Sequence, residues 1–424
     1  MVAMVLLKFH GGCQQIGMSC VEVETQKGRV LLDCGMTPDS GEIPKVDDKA
    51  IDAVIISHAH LDHCGAIPFY KFKKIYCTHP TADLMFITWR DTLNLTKAYE
   101  EKDIQQAMES IECLNYYEEK QITDDIKFKF YNAGHILGSA SIYLEADGKK
   151  IFYTGDINEG VSRTLLPADT DIDEIDVLII ESTYGSPLDI KPARKTLEKQ
   201  LIDEIAETIE NGGKVIIPVF AIGRAQEILL IINNYMRSGN LKEVPIYTDG
   251  SLIHATAVYM SYINWLNPKI KNMVENRINP FGEVKKADEN LVFNKEPCII
   301  VSTSGMVQGG PVLKYLKLLK DPKNKLILTG YQAEGTLGRE LEEGAKEIQP
   351  FKNKIPVRGK VVKIEFSAHG DYNSLVRYIK KIPKPEKAIV MHGERYQSLS
   401  FAMTIWKTLK IPTFVPVKGT ILPI

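Results

Sequence analysis

The run His58-Ala59-His60-Leu61-Asp62-His63 follows directly on the apolar stretch 53–57, and it restricts the chain more than any other six residues. Three imidazoles and a carboxylate are costly to bury unpaired, so the strand must end at an edge where these side chains meet a partner that neutralises them. Alternate side chains of an extended loop start point the same way. His58 and His60 are therefore placed to grip one cation while Asp62 and His63 grip a neighbour. Imidazole with carboxylate suits Zn²⁺, with Mn²⁺ or Fe as alternatives. The chain has nine histidines, few enough to audit for further ligands. His135, in Ala133-Gly134-His135, and Asp156, in Tyr153-Thr154-Gly155-Asp156, are candidates. Each lies beside a glycine that would let backbone approach the metals closely. His10, His79 and His254 read as structural.

The patterning around these residues changes part-way along. Up to about residue 185, short β-rich runs (19–24, 29–33, 53–57, 127–131, 140–145, 150–154 and 176–180) alternate with polar loops, and one amphipathic stretch, 81–97, interrupts them. Met85 and Trp89 sit at helical spacing in that stretch and read as core, while Lys71 to Lys74 reads as a solvated face. From Ser186 onward helix and strand alternate regularly: helices at 193–209 and 225–236, then strands at 214–219, 244–248, 298–302 and 325–329. Such repetition predicts a mostly parallel sheet flanked by helices. A strand at 387–390 and a helix near 397–409 close the chain. No repeat of fixed period and no Gly/Ser linker appears, so the parts should be tightly joined, one inserted into another.

With 424 residues, two or three folding units are expected at roughly 100–200 residues each. The formal net charge of −2 excludes a globally basic nucleic-acid coat, so a polyanion would have to meet a local groove. Seven cysteines without a CxxC pair argue for free thiols in a reducing compartment. The apolar opening, residues 1–7, is too short for a secretion signal or a membrane span. The expectation is a cytoplasmic protein with no membrane contact.

In order and spacing these motifs resemble the metallo-β-lactamase superfamily: Asp33 in Leu31-Leu32-Asp33-Cys34-Gly35 matches its first motif, the histidine run its second, His135 its third and Asp156 its fourth. Three later stretches narrow the resemblance to its β-CASP nucleases. Glu181 in Glu181-Ser182-Thr183-Tyr184-Gly185 is similar to motif A, His369 in Ser367-Ala368-His369-Gly370-Asp371 to motif B, and His392 in Met391-His392-Gly393-Glu394 to motif C. Gly11 to Gly17, Ser304-Gly305-Met306 and Gly330 to Arg339 agree. The chain looks closest to archaeal and bacterial relatives of the nuclease subunit of the cleavage and polyadenylation specificity factor. It resembles their catalytic core, without the KH modules of longer archaeal relatives or the C-terminal extension of many RNase J proteins.

The resemblance implies an αββα sandwich over residues 1–185 and 368–424, interrupted by a β-CASP domain at 186–367. It implies two Zn²⁺ per chain (Mn²⁺ as the alternative). His58, His60 and His135 would hold one ion, Asp62, His63 and His392 the other, with Asp156 shared and Asp33 orienting ligands from behind. Metal binding lowers the pKa of water to about 7, which supplies hydroxide at neutral pH. His369 is the candidate general acid, with Glu181 beside it to stabilise the protonated ring; Asp62 completes the catalytic set. Histidine at motif C favours RNA over DNA within the family. The implied reaction is hydrolysis of single-stranded RNA to 5′-phosphate and 3′-hydroxyl ends, endonucleolytic, with a 5′→3′ exoribonuclease of RNase J type or a silent scaffold subunit as alternatives. A small-molecule hydrolase would have no use for Glu181, His369 or the insertion. Substrate phosphates are expected at Ser304, Gly305, Thr336, Arg339 and Ser367, in a narrow cleft that admits single strands. The inserted sheet is a candidate homodimer surface.

Overall fold

A computed structural model describes residues 5–424. Met1 to Met4 of the apolar opening lie outside the described residues, and Leu6 and Leu7 begin the strand Leu6–Gly11. Internal contacts divide the chain into two units, one of residues 1–191 with 368–424 and one of residues 192–367.

The first unit contains two seven-stranded sheets. One runs in the order Ile421–Pro423, Leu6–Gly11, Cys20–Glu24, Arg29–Leu32, Ala53–Ile55, Ile75–Thr78, Ile111–Leu114. The other runs Thr413–Phe414, Lys387–Met391, Val177–Glu181, Lys149–Tyr153, Ala140–Ala146, Ile126–Asn132, Glu119–Thr123. Alternate residues of both, among them Leu7, Val21, Val30 and Ile55 from the first and Phe128, Ile142, Ile151 and Ile179 from the second, share one buried cluster. Strand periodicity puts each sheet's inner face into that cluster. The outer face of the second sheet, through Phe152, Leu178, Ile180 and Val390, packs on the helices Tyr372–Lys381 and Arg395–Thr404 via Leu375, Tyr378 and Phe401. On the first sheet's side, helix His79–Thr96 buries Leu84, Met85 and Trp89. The result is helix, sheet, sheet, helix. The strands buried on both faces are the ones with continuous apolar runs, such as Val-Leu-Ile-Ile at 177–180.

The second unit has one six-stranded parallel sheet, in the order Val284–Lys286, Ile246–Thr248, Ile299–Ser302, Val215–Pro218, Lys325–Leu328, Lys360–Lys363. Helices Arg194–Glu210 and Arg224–Arg237 alternate with its strands.

Three expectations need correction. A second helix, Glu101–Glu109, follows the first amphipathic one; its turns begin Glu-Lys-Asp and bury only Ile104 and Ala107, too little apolar content to register as periodicity. The sequence also reads as a strand over 360–366, and that strand stops at Lys363. The last helix starts at Arg395 and turns into a single π turn at Ile405–Leu409.

Candidate metal centre

In the first unit the chemistry-bearing residues gather where parallel strands end. Arg29–Leu32 delivers Asp33, Ala53–Ile55 delivers the loop to His63, Lys149–Tyr153 leads to Asp156, Val177–Glu181 ends on Glu181, and Lys387–Met391 delivers His392. Carboxyl ends of parallel strands are the usual place for sites in such sheets. His58 and His60 lie in the extended segment after the strand; Asp62 and His63 fall in the turn of helix Leu61–Cys64, and the change from extended to helical backbone splits the four side chains into two pairs. His135 sits in the connection between Ile126–Asn132 and Ala140–Ala146, its ring held by Nδ1 at 3.1 Å from the Ala368 carbonyl.

Three groups of potential ligand atoms result, each with all its atoms within 4.8 Å of one another: His58, His60, His135 and Asp156; Asp62, His63, Asp156 and His392; and Asp156, Glu181 and His369. In the first, His60 Nδ1 faces His58 Nε2 and His135 Nε2, both at 3.1 Å. In the second, His63 Nε2 faces His392 Nε2 at 3.3 Å, and His392 Nε2 lies 3.2 Å from Asp62 Oδ2. Asp156 divides its oxygens: Oδ2 is 3.5 Å from His58, and Oδ1 is 3.3 Å from His63 and 3.1 Å from His392. Oδ1 is buried without a hydrogen-bond partner. An orphaned buried carboxylate oxygen among converging ring nitrogens is a donor set that divalent cations complete. Glu181, buried, lies next to this array, with both carboxylate oxygens 3.1 Å from His369 Nδ1. Its Oε1 also accepts from the backbone N–H of Ile157 at 2.7 Å.

Burial holds the imidazoles of His58, His60 and His135 below the usual histidine range. For His63 and His392 burial acts the same way but is outweighed. Asp156, Asp62 and Asp33 hold His63 well above the range, and Asp156 and Asp62 hold His392 above it. The carboxyls of Asp62 and Asp156, which burial would raise, are held down by the imidazoles around them.

Asp33 is fully buried and saturated. It accepts from the N–H of Ser57 and from Ser57 Oγ, faces His63 Nδ1 at 2.7 Å and accepts from Tyr153 OH at 2.7 Å. Ser57 Oγ in turn lies 3.0 Å from His58 Nδ1, so one carboxylate orients a ring in each group. Asp33 and His392 both adopt left-handed backbone, φ 61° and 51°, as do eight other non-glycine residues among those described. The glycines beside His135 and Asp156 make room for protein: a Cβ on Gly155 would lie 2.7 Å from Ser57 Cβ, and one on Gly134 2.6 Å from backbone at 158 and 168. Sequence patterning missed Tyr153, Ser57 and Thr183, whose Oγ1 is 3.3 Å from His392 Nδ1. It also missed Gly12, whose carbonyl accepts the His392 N–H at 2.7 Å, although Gly12 lies in a stretch that the resemblance had already marked.

The residues expected to meet phosphates lie in the second unit, in loops after Ile299–Ser302 and Lys325–Leu328. Gln332 Nε2 donates to the Gly305 carbonyl at 3.1 Å and Gly338 N to that of Met306 at 3.2 Å, which joins the two loops. Ser304 Oγ donates to the Gly309 carbonyl, Thr336 caps helix Leu337–Glu342, and Arg339 Nε pairs with Glu343 at 2.7 Å. Ser367 is the unit's last residue.

Models of known families match three segments: the metallo-β-lactamase superfamily at residues 17–207, the β-CASP domain at 225–341, and a Zn-dependent metallo-hydrolase RNA specificity domain at 354–416. An RNase J-like protein of Methanocaldococcus jannaschii is 94% identical over 99% of this chain and 100% of its own length. The chain belongs to the β-CASP family of metallo-β-lactamase hydrolases. Another relative in the family, the transcription termination factor FttA of Methanothermobacter thermautotrophicus, is 39% identical over 96% of this chain and 70% of its own. A crystal structure of a protein of unknown function from Enterococcus faecalis shares the fold, with TM-score 0.61 and 14% identity over 99% of this chain and 100% of that one. β-CASP hydrolases of this superfamily use metal ions, and the two four-residue groups that share Asp156 are the candidate positions for them here. Among the described residues no helix is long and apolar enough to cross a membrane.

Proposed function

We propose that this chain is a metal-dependent ribonuclease that hydrolyses phosphodiester bonds of single-stranded RNA by internal cutting, leaving 5′-phosphate and 3′-hydroxyl ends. The observation that carries the reading is the sharing of Asp156 between two ligand groups, with the Glu181–His369 pair beside them. His58, His60, His135 and Asp156 would hold one Zn²⁺, and Asp62, His63, His392 and Asp156 the second. Bound there, such ions supply an acidified water as nucleophile at neutral pH and polarise the phosphoryl oxygens.

The chain's own groups do the rest. Asp33 and Ser57 fix the rings of His63 and His58, so the ring nitrogens facing Asp156 keep their lone pairs aimed inward. Glu181 accepts from His369 Nδ1, which leaves Nε2 to carry the proton that the departing 3′-oxygen takes. Histidine rather than valine at position 392 favours RNA, and so does the RNase J-like relative, which matches from end to end. Ser304, Gly305, Thr336, Arg339 and Ser367 remain the proposed phosphate contacts; the Arg339 guanidinium offers the fork geometry phosphate binding uses.

The test uses one single-stranded RNA labelled at either end, with and without chelator. Chelator-sensitive internal fragments bearing 5′-phosphates are expected, and Glu181→Gln or His369→Ala should slow cutting by about 10²–10⁴-fold, the usual contribution of a positioned acid. A 2′,3′-cyclic phosphate product would overturn the mechanism. Release of mononucleotides from the 5′ end would replace internal cutting with the 5′→3′ exonuclease.

A further inference from the structure

Strands Ile75–Thr78 and Ile111–Leu114 are parallel neighbours, the second at the edge of its sheet, and their register sets Cys77 directly against Cys113. Register partners in a parallel pair lie roughly 4.8 Å apart, inside the roughly 4.4–6.8 Å Cα window that a disulfide spans. Both side chains leave the same face of the sheet, so the register brings the two thiols together. Of the seven cysteines, all free, Cys113 is the one that is not buried. Its thiol is held below the ordinary cysteine value by the Cys77 thiol beside it, whereas burial pushes Cys77 well up. One sulfur is thus accessible and nucleophilic, and the other is buried behind it as a resolving thiol.

The segment between these cysteines braces both ligand loops. Thr78 Oγ1 and Thr81 Oγ1 donate to the Gly138 carbonyl at 2.7 and 3.0 Å, in the loop that carries His135. Thr88 Oγ1 donates to the Ala59 carbonyl at 2.7 Å, between His58 and His60, and Trp89 Nε1 to the Cys64 carbonyl at 3.0 Å. Tyr99 OH donates to the Gly65 carbonyl at 2.9 Å.

We propose that Cys77 and Cys113 form a redox-active pair which a hydroperoxide converts into a reversible cross-strand disulfide, closing residues 77–113 into a covalent loop that clamps the brace on both ligand loops. The Cys113 thiolate attacks a peroxide oxygen; the O–O bond breaks, hydroxide leaves, and the sulfur becomes a sulfenic acid. Cys77 sulfur then attacks Cys113 sulfur, the S–O bond breaks, and water departs with the Cys77 proton. Overall two thiols and one hydrogen peroxide give one disulfide and two waters, sulfur losing two electrons and peroxide gaining them. A dithiol reverses the step.

The thiol chemistry stands apart from the proposed function, and only its effect on the ligand loops rests on that reading. The test treats the full chain, metal-loaded with Zn²⁺, with stoichiometric hydrogen peroxide, blocks the remaining thiols and maps peptides without reductant. A Cys77–Cys113 linked peptide is expected, abolished by dithiothreitol and absent in Cys113→Ser and in Cys77→Ala. Sulfinic acid at Cys113 without the link, or five other thiols oxidising equally, overturns the proposal. Release of Zn²⁺ to a chelator should slow at least threefold in the oxidised protein and not in oxidised Cys113→Ser; equal rates overturn the clamping. Failure of the link in a protein that still cuts RNA sinks the thiol pair alone, and a clean link in a protein that cuts no RNA with any metal sinks the ribonuclease alone.

Discussion

The two ligand groups are built from similar parts and prepared differently. His58, His60 and His135 supply three imidazoles and share one carboxylate, and burial keeps those rings neutral with lone pairs available. The other group has two imidazoles and two carboxylates, and Asp33 lies behind it, so His63 and His392 hold their protons more tightly. What differs is where the carboxylates lie: burial biases the rings of one group towards the neutral form, and nearby carboxylates bias those of the other towards the protonated form. A cation entering the second group should therefore displace more protons than one entering the first.

The largest effect that tests this contrast comes from the residue both groups share. Asp156→Asn removes an anionic ligand from each, so bound metal should fall towards zero by elemental analysis. RNA cutting should drop by more than the roughly 10–100-fold that loss of an outer partner costs. Retention of one full equivalent would show the groups do not share this residue. Next in size, His135→Ala and His392→Ala should each cut the metal content from two equivalents to one, and the surviving ion's absorption after Co²⁺ substitution should differ between the variants. Identical spectra would break the distinction.

Proton linkage sharpens it further. His63 and His392 are raised, so protons compete for the second group as pH falls towards and below neutrality, and its affinity should weaken from pH 8 to 6. The first group, whose rings are lowered, should hold its affinity over the same window. Calorimetric titration in buffers of different ionisation enthalpy reads the protons released at each step; equal release at both steps contradicts the contrast. The smallest effect is at Tyr153→Phe. It removes one of the donors to Asp33 and should weaken metal at the second group by about tenfold, on the scale of one hydrogen bond to a charged group. Thermal unfolding should change little by comparison.

How legible all this was depends on distance along the chain. His58 to His63 were visible because four ligands sit in six residues, His135 and Asp156 because each stands beside a glycine near a short β-run, and Asp33 only because its stretch resembles the superfamily's first motif. Tyr153 was not, since a tyrosine at the end of an apolar strand reads as core until its hydroxyl is seen to reach Asp33 across the sandwich. Ala368 acts through its carbonyl, which has no sequence signature. The facing of Cys77 and Cys113 depends on register between parallel strands joined by two helices, and the second helix was itself too polar to show. Sheets covered by helices came through because some strands are continuous apolar runs and the helix–strand alternation of the second unit is regular, while the αββα layering came from the resemblance.

The last ligand arrives late. His63 and His392 are 329 positions apart, and a ribosome adding about 5–20 residues per second needs about 16–66 seconds to make the chain between them. Throughout that interval the nascent polypeptide carries the histidine run and Asp156 but lacks the side chain that closes the second group. Synthesis order therefore acts as a timer: the second ligand group can close only after the whole intervening unit has been made.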